Sequence, residues 1–145
     1  MKPTDVLVAG SGMAGLMAAL AAAARGKSVR MASRGAGALA ISGGCVDLLG
    51  YLDGKPVAGD PFEAMAGLPA DHPYRIIGID AVREAMHFFT EICREQGLLL
   101  TNDQSRSQWI PTILGTFKPS YLCPPASDRE VLAASDAVLI AHMPW

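Results

Sequence analysis

Short apolar runs alternate with an Ala- and Leu-rich segment at the start of the chain. Residues 5–9 form a short apolar run that contains two valines and ends at a glycine, which is typical of a buried parallel strand. Residues 13–25 have high helix propensity and stop at Gly26, which predicts a helix and its end. Residues 28–32 predict a second strand. The pattern therefore predicts a β–α–β crossover unit.

The start of the chain also contains an uncharged segment that is long enough to span a membrane. Residues 6–24 carry no charge, and about 20 apolar residues cross a bilayer. However, Lys2 and Asp5 offset each other, so the positively charged start of a signal peptide is missing. Glycines interrupt the run, and charged residues and a further apolar run follow it. We therefore favour a buried strand, turn and helix over a membrane or signal segment.

The middle of the chain changes from small residues to an amphipathic helix. Residues 33–44 are rich in Gly, Ala and Ser and predict a loop with short helical pieces. Turn signals concentrate in residues 50–78, with a short helix predicted at 61–66. Residues 80–96 place apolar side chains three and four positions apart, which predicts a helix capped by Asp80 and ended by Gly97.

The last third of the chain predicts strands and one short helix. Residues 98–101 resemble a strand, and residues 109–113 and 116–122 predict a hairpin around Gly115. Pro111 and Pro119 restrict these two segments to edge strands or extended loop. A helix is predicted at 128–134 and a buried strand at 137–141. Because the sequence stops soon after this strand, we expect the front part of a longer protein; a small domain that ends on an edge strand is the alternative.

Composition and charge narrow the classes of function. The chain has 145 residues, of which 50% are hydrophobic and 18% charged, so it has the material for one core. Its net charge is −2 and it has no long basic run, which argues against nucleic acid as a partner. Its three cysteines are too few and too scattered for a disulfide framework or a Cys-rich zinc site. No metal site is predicted, and a reducing cytoplasm fits.

The motif that carries chemistry is a G-x-G-x-x-G between the first strand and the first helix. Gly10 allows the tight turn, Gly12 leaves room for a pyrophosphate, and Gly15 allows close packing of helix and strand. The helix start adds N–H groups and a positive dipole end. Because strand, helix and second strand surround the motif, it predicts nucleotide binding. The alternative is a packed turn with no ligand.

Two further segments bear on the ligand. A dinucleotide site usually has an acidic residue at the end of the second strand, but this chain has Ser33 and Arg34 there. A mononucleotide, or a ribose held differently, therefore stays possible. In the second segment, Ser42, Gly43 and Gly44 let the backbone pass close to a flat ligand, and a surface loop is the alternative interpretation.

These motifs together resemble a known family. They are the three glycines, residues 33–35 (SRG), residues 42–49 (SGGCVDLL), residues 72–74 (HPY) and residues 111–116 (PTILGT). The chain resembles the B-type subunit of anaerobic glycerol-3-phosphate dehydrogenase along most of its length. Members of that family are several hundred residues long, which agrees with the expectation of a longer protein.

The resemblance implies an α/β, Rossmann-like flavin-binding fold. Residues 1–49 would be the flavin-binding β–α–β and flavin loop, residues 50–136 an inserted α+β substrate region, and residues 137–145 the start of a further strand. The implied flavin is FMN, with FAD as the alternative. The implied reaction oxidises sn-glycerol 3-phosphate to dihydroxyacetone phosphate and passes electrons to a quinone-linked chain. The implied partners are an FAD-bearing subunit and an iron–sulfur subunit that anchors the cytoplasmic assembly at the inner face of the cell membrane.

The resemblance also suggests roles for individual residues. The expected phosphate-binding residues are Gly10, Ser11, Gly12 and Gly15, with Ser33 and Arg34 at the edge, and Ser42, Gly43 and Gly44 near the flavin ring. No catalytic base is assigned; His142, after the last predicted strand, is a weak candidate ahead of His72 and His87. The competing functions are a nicotinamide-dependent oxidoreductase and a non-catalytic nucleotide-binding assembly subunit.

Overall fold

The computed structural model describes residues 3–100 and 105–137, and these residues form two compact units. The described residues of the N-terminal unit are 3–44, and those of the C-terminal unit are 45–100 and 105–137. Each unit has its own secondary structure. Val46 forms an antiparallel bridge with Leu122 inside the C-terminal unit, and the predicted domain boundary at residue 49 stays a prediction. The assignment of residues 45–49 to a flavin loop stays a prediction.

The N-terminal unit is a β–α–β crossover. Strand β1 (Val6–Ala9) and strand β2 (Val29–Ala32) are parallel, with Val6 opposite Val29 and Ala9 opposite Ala32. Helix α1 (Met13–Ala24) connects them and packs on both strands. A short 3-10 helix (Ala38–Ile41) follows in the loop. The predicted strand, helix and strand are confirmed, and so is the expectation of a short helical piece after β2.

Asp5 holds the two strands together just before their first residues. Its carboxylate accepts hydrogen bonds from the backbone N–H and the hydroxyl of Ser28, at 2.8 and 2.7 Å. One face of the sheet lies under α1, so that Val8 is only 8% exposed. On the other face Leu7 is 69% exposed. Among the described residues, no helix combines the length and the apolar character that crossing a membrane requires.

In residues 45–100 and 105–137, the C-terminal unit combines two small hairpins with four α-helices. The strands are β3 (Tyr51–Leu52), β4 (Lys55–Pro56), β5 (Gln108–Pro111) and β6 (Phe117–Ser120). The helices are α2 (Pro61–Met65), α3 (Pro73–Ile77), α4 (Ile79–Glu95) and α5 (Arg129–Ala134). Both hairpins are antiparallel. The predicted hairpin around Gly115 is confirmed, with Pro119 opposite Trp109.

The core of this unit forms around α2. Phe62, Met65 and Leu68 are buried together, and side chains from α4 and from the segments next to β3 and β6 pack against them. The ring of Phe62 meets the edge of Tyr121 with centroids 5.4 Å apart. Asp60 starts α2 by accepting a hydrogen bond from the backbone N–H of Phe62. A local capping signal thus places the aromatic residue at the centre of the core.

Three sequence-based expectations for this unit are wrong. Helix α3 lies where a turn was predicted, because His72 caps it and Pro73 occupies its first position. Helix α4 begins after Gly78, so Asp80 lies in its first turn instead of capping it. Residues 98–100 are not a strand.

The chain leaves α4 without entering a sheet. Leu98 and Leu99 are 61% and 73% exposed and pair with no described strand, since Gly97 has ended α4 with a φ of +73° and turned the chain away. Residue 101 and residues 138–141 of the predicted final strand lie outside the described residues.

Candidate functional site

The glycine loop begins where β1 ends. Gly10 has a φ of +109°, a conformation that favours glycine, and it turns the chain sharply. Its backbone N–H donates to the carbonyl of Ala32 at 2.8 Å, which ties the loop to the end of β2. The loop therefore lies at the carboxyl ends of two parallel strands, the edge at which α/β folds bind ligands.

Gly15 and Gly12 serve different needs in this loop. A Cβ atom at Gly15 would lie 2.3 Å from the carbonyl oxygen of Gly10, so any other residue would push α1 away from the loop. A Cβ atom at Gly12 would meet nothing within 4 Å. Gly15 is thus required for packing, whereas Gly12 borders open space, as the motif predicts for a position that a phosphate approaches.

Helix α1 starts with neither a side-chain cap nor an acidic residue to balance the positive end of its dipole. Gly12 is its N-cap and gives no side-chain hydrogen bond, and the first turn contains no acidic residue. The first helical hydrogen bond runs from the Leu16 N–H to the Gly12 carbonyl, at 3.0 Å. The preceding N–H groups and the positive dipole end suit an anion. These residues fit the phosphate of a nucleotide or flavin.

A second segment, residues 33–37, lies directly against the glycine loop. The Ser11 hydroxyl is 2.8 Å from that of Ser33 and donates to the Gly35 carbonyl at 2.7 Å. A Cβ atom at Gly37 would lie 2.7 Å from the Gly12 nitrogen. Ser11 and Ser33 therefore hold the segment in place. Gly35 and Gly37 were not among the predicted site residues. Gly35 belongs to the SRG motif of the family resemblance, whereas the signal at Gly37 is the richness of this stretch in glycine.

Arg34 and the segment 42–44 have less defined surroundings. The side chain of Arg34 is exposed, and no described residue forms an ion pair or hydrogen bond with it. The Ser42 hydroxyl accepts a hydrogen bond from the Gly44 N–H at 3.2 Å, which closes a local turn. The predicted place of residues 42–44 near a flavin ring stays a prediction.

Of the three histidines considered as catalytic bases, the structure describes His72 and His87. His72 uses its Nδ1 atom to cap α3 by accepting from the Tyr74 N–H at 3.2 Å, which is a structural role. His87 is exposed and lines a cavity of about 210 Å³ in the C-terminal unit. His142 lies outside the described residues. Its role as a base stays a prediction.

Lys118 and Cys45 are two further side chains of the C-terminal unit with a titratable group. The ammonium of Lys118 donates to the carboxylate of Asp47, so this lysine is ion-paired. Burial raises the pKa of the Cys45 thiol, an effect larger than the opposing charge of Lys118. Within the described part of the chain, no group of three His, Cys, Asp or Glu side chains is arranged to hold a metal ion.

Comparison with known proteins agrees with the geometry of the glycine loop. The family described as FAD binding domain matches residues 5–143. The chain belongs to this family. The match supports flavin as the cofactor and a Rossmann-like α/β fold. No solved structure matches the chain.

The curated relatives carry names that agree with the resemblance in the sequence motifs. A relative from Halobacterium salinarum is 42% identical over 137 residues, 92% of this chain and 30% of its own, and is named as a probable B-type subunit of anaerobic glycerol-3-phosphate dehydrogenase. Relatives named as the same subunit in Vibrio vulnificus and Pectobacterium atrosepticum are 36% and 32% identical, over 83% and 90% of this chain and 28% and 32% of theirs. The chain thus spans about 30% of the length of these relatives. The resemblance is confirmed.

Proposed function

We propose that this chain is the flavin-binding N-terminal part of a B-type subunit of anaerobic glycerol-3-phosphate dehydrogenase. The observation that carries the proposal is the start of α1, where the open space at Gly12 adjoins a helix with neither a side-chain cap nor an acidic first turn. The names of the relatives supply the substrate. The protein would oxidise sn-glycerol 3-phosphate to dihydroxyacetone phosphate.

In that reaction the secondary alcohol at C2 becomes a ketone and loses two electrons and two protons. A flavin, when bound, accepts the two electrons and passes them to a quinone-linked chain. The role of this chain's residues is to bind and orient. The N–H groups at the start of α1 bind the flavin phosphate beside Gly12, while Gly10 and Gly15 fix the loop. Ser11 holds the covering segment through Gly35.

We favour FMN over FAD as the flavin. In the described residues, β2 ends at Ala32 and continues into Ser33 and Arg34 with no carboxylate for an adenosine ribose. The Ser33 hydroxyl already lies within hydrogen-bond distance of the Ser11 hydroxyl and of the Gly35 carbonyl. Arg34 is then proposed to lie at the edge of the phosphate site, and residues 42–44 beside the flavin ring.

The remaining parts of the proposal follow the family. Residues 50–136 would form an inserted α+β substrate region and residues 137–145 would start a further strand. An FAD-bearing subunit and an iron–sulfur subunit would hold the assembly at the inner face of the cell membrane. The word subunit in the relatives' names supports a complex.

The first test is the visible spectrum of the full-length protein, with chromatographic identification of the flavin that denaturation releases. Released FMN and anaerobic bleaching by sn-glycerol 3-phosphate are expected. Released FAD would overturn the choice of FMN. A protein that stays colourless after reconstitution with flavin would overturn the proposal. Bound flavin that the substrate does not reduce would favour the non-catalytic assembly subunit.

A variant locates the flavin. Gly12→Val is expected to abolish flavin binding while the protein folds, because its Cβ atom has no neighbour within 4 Å but projects into the phosphate space. Gly59→Val in the C-terminal unit is the matched control, since its Cβ atom also meets nothing within 4 Å. Equal flavin content in the two variants and the wild type would overturn the phosphate site.

A further inference from the structure

The C-terminal unit contains a cleft that is lined by none of the predicted site residues that the structure describes. It has a volume of about 590 Å³, within the range of small-molecule sites. It lies between the residues after β4, strand β5 and helix α5. We call it the arginine cleft; its principal lining residues are Arg106, Gln108, Trp109, Asp128, Arg129 and Glu130.

Arg106 is the first of two guanidinium groups in the arginine cleft. Among the described residues it pairs with the carboxylate of Glu130, at 3.3 Å, and the two side chains are 47% and 77% exposed. An ion pair this exposed contributes little to stability, since water solvates both charges and salt screens them. A phosphate group offers a guanidinium two parallel, charge-assisted hydrogen bonds. Arg106 therefore loses little by exchanging Glu130 for a phosphate.

Arg129 supplies the second guanidinium group and is held in a different way. Its central carbon lies over the ring of Phe117, 5.0 Å from the centroid. A cation over the face of an aromatic ring is attracted by the ring's negative face, which restricts where the guanidinium lies. Among the described residues, no carboxylate forms an ion pair with Arg129. In the described part of the chain, the Arg129 guanidinium is thus held by a ring and not by an ion pair.

The remaining lining suits a short polar carbon chain. Trp109 supplies an aromatic surface for apolar C–H groups, and Gln108 and Asp128 supply polar groups. Gln108 is held by the Cys123 thiol, which donates to its side-chain oxygen at 2.7 Å. Asp128 is held by capping α5, where it accepts from the Glu130 N–H at 2.9 Å. The polar groups are therefore fixed before a ligand arrives.

We propose that the arginine cleft binds the phosphomonoester of a small polyhydroxy compound. The phosphate lies at Arg106 and Arg129, Glu130 gives up Arg106, and the carbon chain lies against Trp109. Identification of this compound as glycerol 3-phosphate rests on the proposed function. The class of ligand rests on the cleft alone.

The test is calorimetric binding to the full-length protein with its flavin already reduced, so that the heat measures ligand binding and not flavin reduction. Glycerol 3-phosphate is expected to bind, inorganic phosphate to bind more weakly, and glycerol to give no heat. Arg129→Ala and Arg106→Ala are each expected to weaken glycerol 3-phosphate binding by about tenfold to a hundredfold, the effect of losing hydrogen bonds to a charged group.

Glu130→Gln separates ligand binding from a structural role. Arg106→Ala and Glu130→Gln both break the same ion pair, so a purely structural effect would shift affinity in the same direction. If Arg106 binds the phosphate, Arg106→Ala lowers the affinity for glycerol 3-phosphate. Glu130→Gln raises that affinity, because it frees Arg106 for the phosphate. Arg83→Ala is the matched control, since Arg83 also lies over a phenylalanine ring, at 4.2 Å from the Phe62 centroid, and pairs with Asp60.

The outcomes distinguish this site from the proposed function. Unchanged affinity in the Arg106 and Arg129 variants, or an equal loss in Arg83→Ala, would overturn the arginine cleft as a site. Equal affinity for phosphate and glycerol 3-phosphate would overturn the polyol part. Binding that depends on both arginines, together with an oxidised flavin that glycerol 3-phosphate does not reduce, would support the cleft while contradicting the dehydrogenase function.

Discussion

The helix starts of the two units differ in what satisfies them. In the C-terminal unit α2, α3 and α5 begin with side-chain caps from Asp60, His72 and Asp128. In the N-terminal unit α1 begins with Gly12 and has neither a cap nor an acidic residue in its first turn. Helix α4 is intermediate, since it starts at a glycine but carries Asp80. Where a side chain caps the first N–H groups of a helix, the helix start has a structural role. Where no side chain caps them, the N–H groups can bind an anion.

The largest expected effect is a loss of flavin affinity when α1 is given an acidic side-chain cap, as α2 and α5 have. Gly12→Asp adds a cap and a charge at an N-cap whose ψ of 176° suits a capping residue. Like charges about 4 Å apart repel by about 4 kcal/mol near a protein surface, so flavin affinity is expected to fall at least about a hundredfold.

Without flavin, Gly12→Asp is expected to be more stable than the wild type by a few tenths of a kcal/mol. Fluorescence titration with flavin and urea unfolding measure the two effects. Gly12→Asn is the uncharged control of similar size and should lose less affinity. An aspartate variant that binds flavin as well as the asparagine variant would break the comparison.

The next effect concerns the packing that keeps the start of α1 in place. Gly15→Ala forces a Cβ atom to within 2.3 Å of the Gly10 carbonyl oxygen. Overpacking of this kind costs about 1–3 kcal/mol, and a backbone neighbour places this variant at the upper end. Urea unfolding should show it, and Gly59→Ala, whose Cβ atom meets nothing, should stay near the wild type. If Gly15→Ala is as stable as the wild type, position 15 does not lie as close to the Gly10 carbonyl oxygen as the structure shows.

Removing the caps of the C-terminal unit should have a moderate effect on stability and none on flavin. Asp60→Ala and Asp128→Ala each leave an N–H at a helix start without its partner, that of Phe62 and that of Glu130. The expected loss is about 1 kcal/mol each. Unfolding curves and flavin content measure both effects. A loss of flavin as large as that of Gly12→Asp would remove the distinction between the units.

The smallest effect is the pH dependence at Asp5. Hydrogen bonds from the Ser28 N–H and hydroxyl lower the pKa of this carboxyl below its ordinary value. A lowered folded-state pKa gives stability that is present above about pH 4 and is lost as pH falls through the folded pKa. Asp5 is fully exposed, so the loss is small. Urea midpoints followed into acid should decline less in Asp5→Asn; an identical decline would show that Asp5 does not contribute.

Local patterns predicted the parts of the fold in which neighbouring residues decide. Residues 5–32 carry the strand, glycine turn, helix and strand in their order of apolar and small residues, and the structure has all four. The spacing of apolar residues predicted α4 almost to its ends. The turn of β5 and β6 followed from Gly115 and was also found.

The failures arise where a local signal has two interpretations or where distant residues decide. His72 and Pro73 are common in turns, but the imidazole accepts a backbone hydrogen bond and so starts α3. Residues 98–100 have the composition of a strand but lack a strand to pair with in the described structure. The approach of Gly37 to Gly12 joins positions 25 apart, and no local periodicity encodes such a contact.

The contact between Gly12 and Gly37 has an evolutionary consequence. Where two side chains meet, a smaller residue on one side compensates a larger one on the other, so a lineage explores pairs of substitutions. Here neither partner has a side chain to shrink, and a Cβ atom at Gly37 would meet the Gly12 backbone itself. A substitution at Gly37 therefore cannot be compensated by a second substitution at Gly12. Diversification of this loop must proceed through the flanking residues instead.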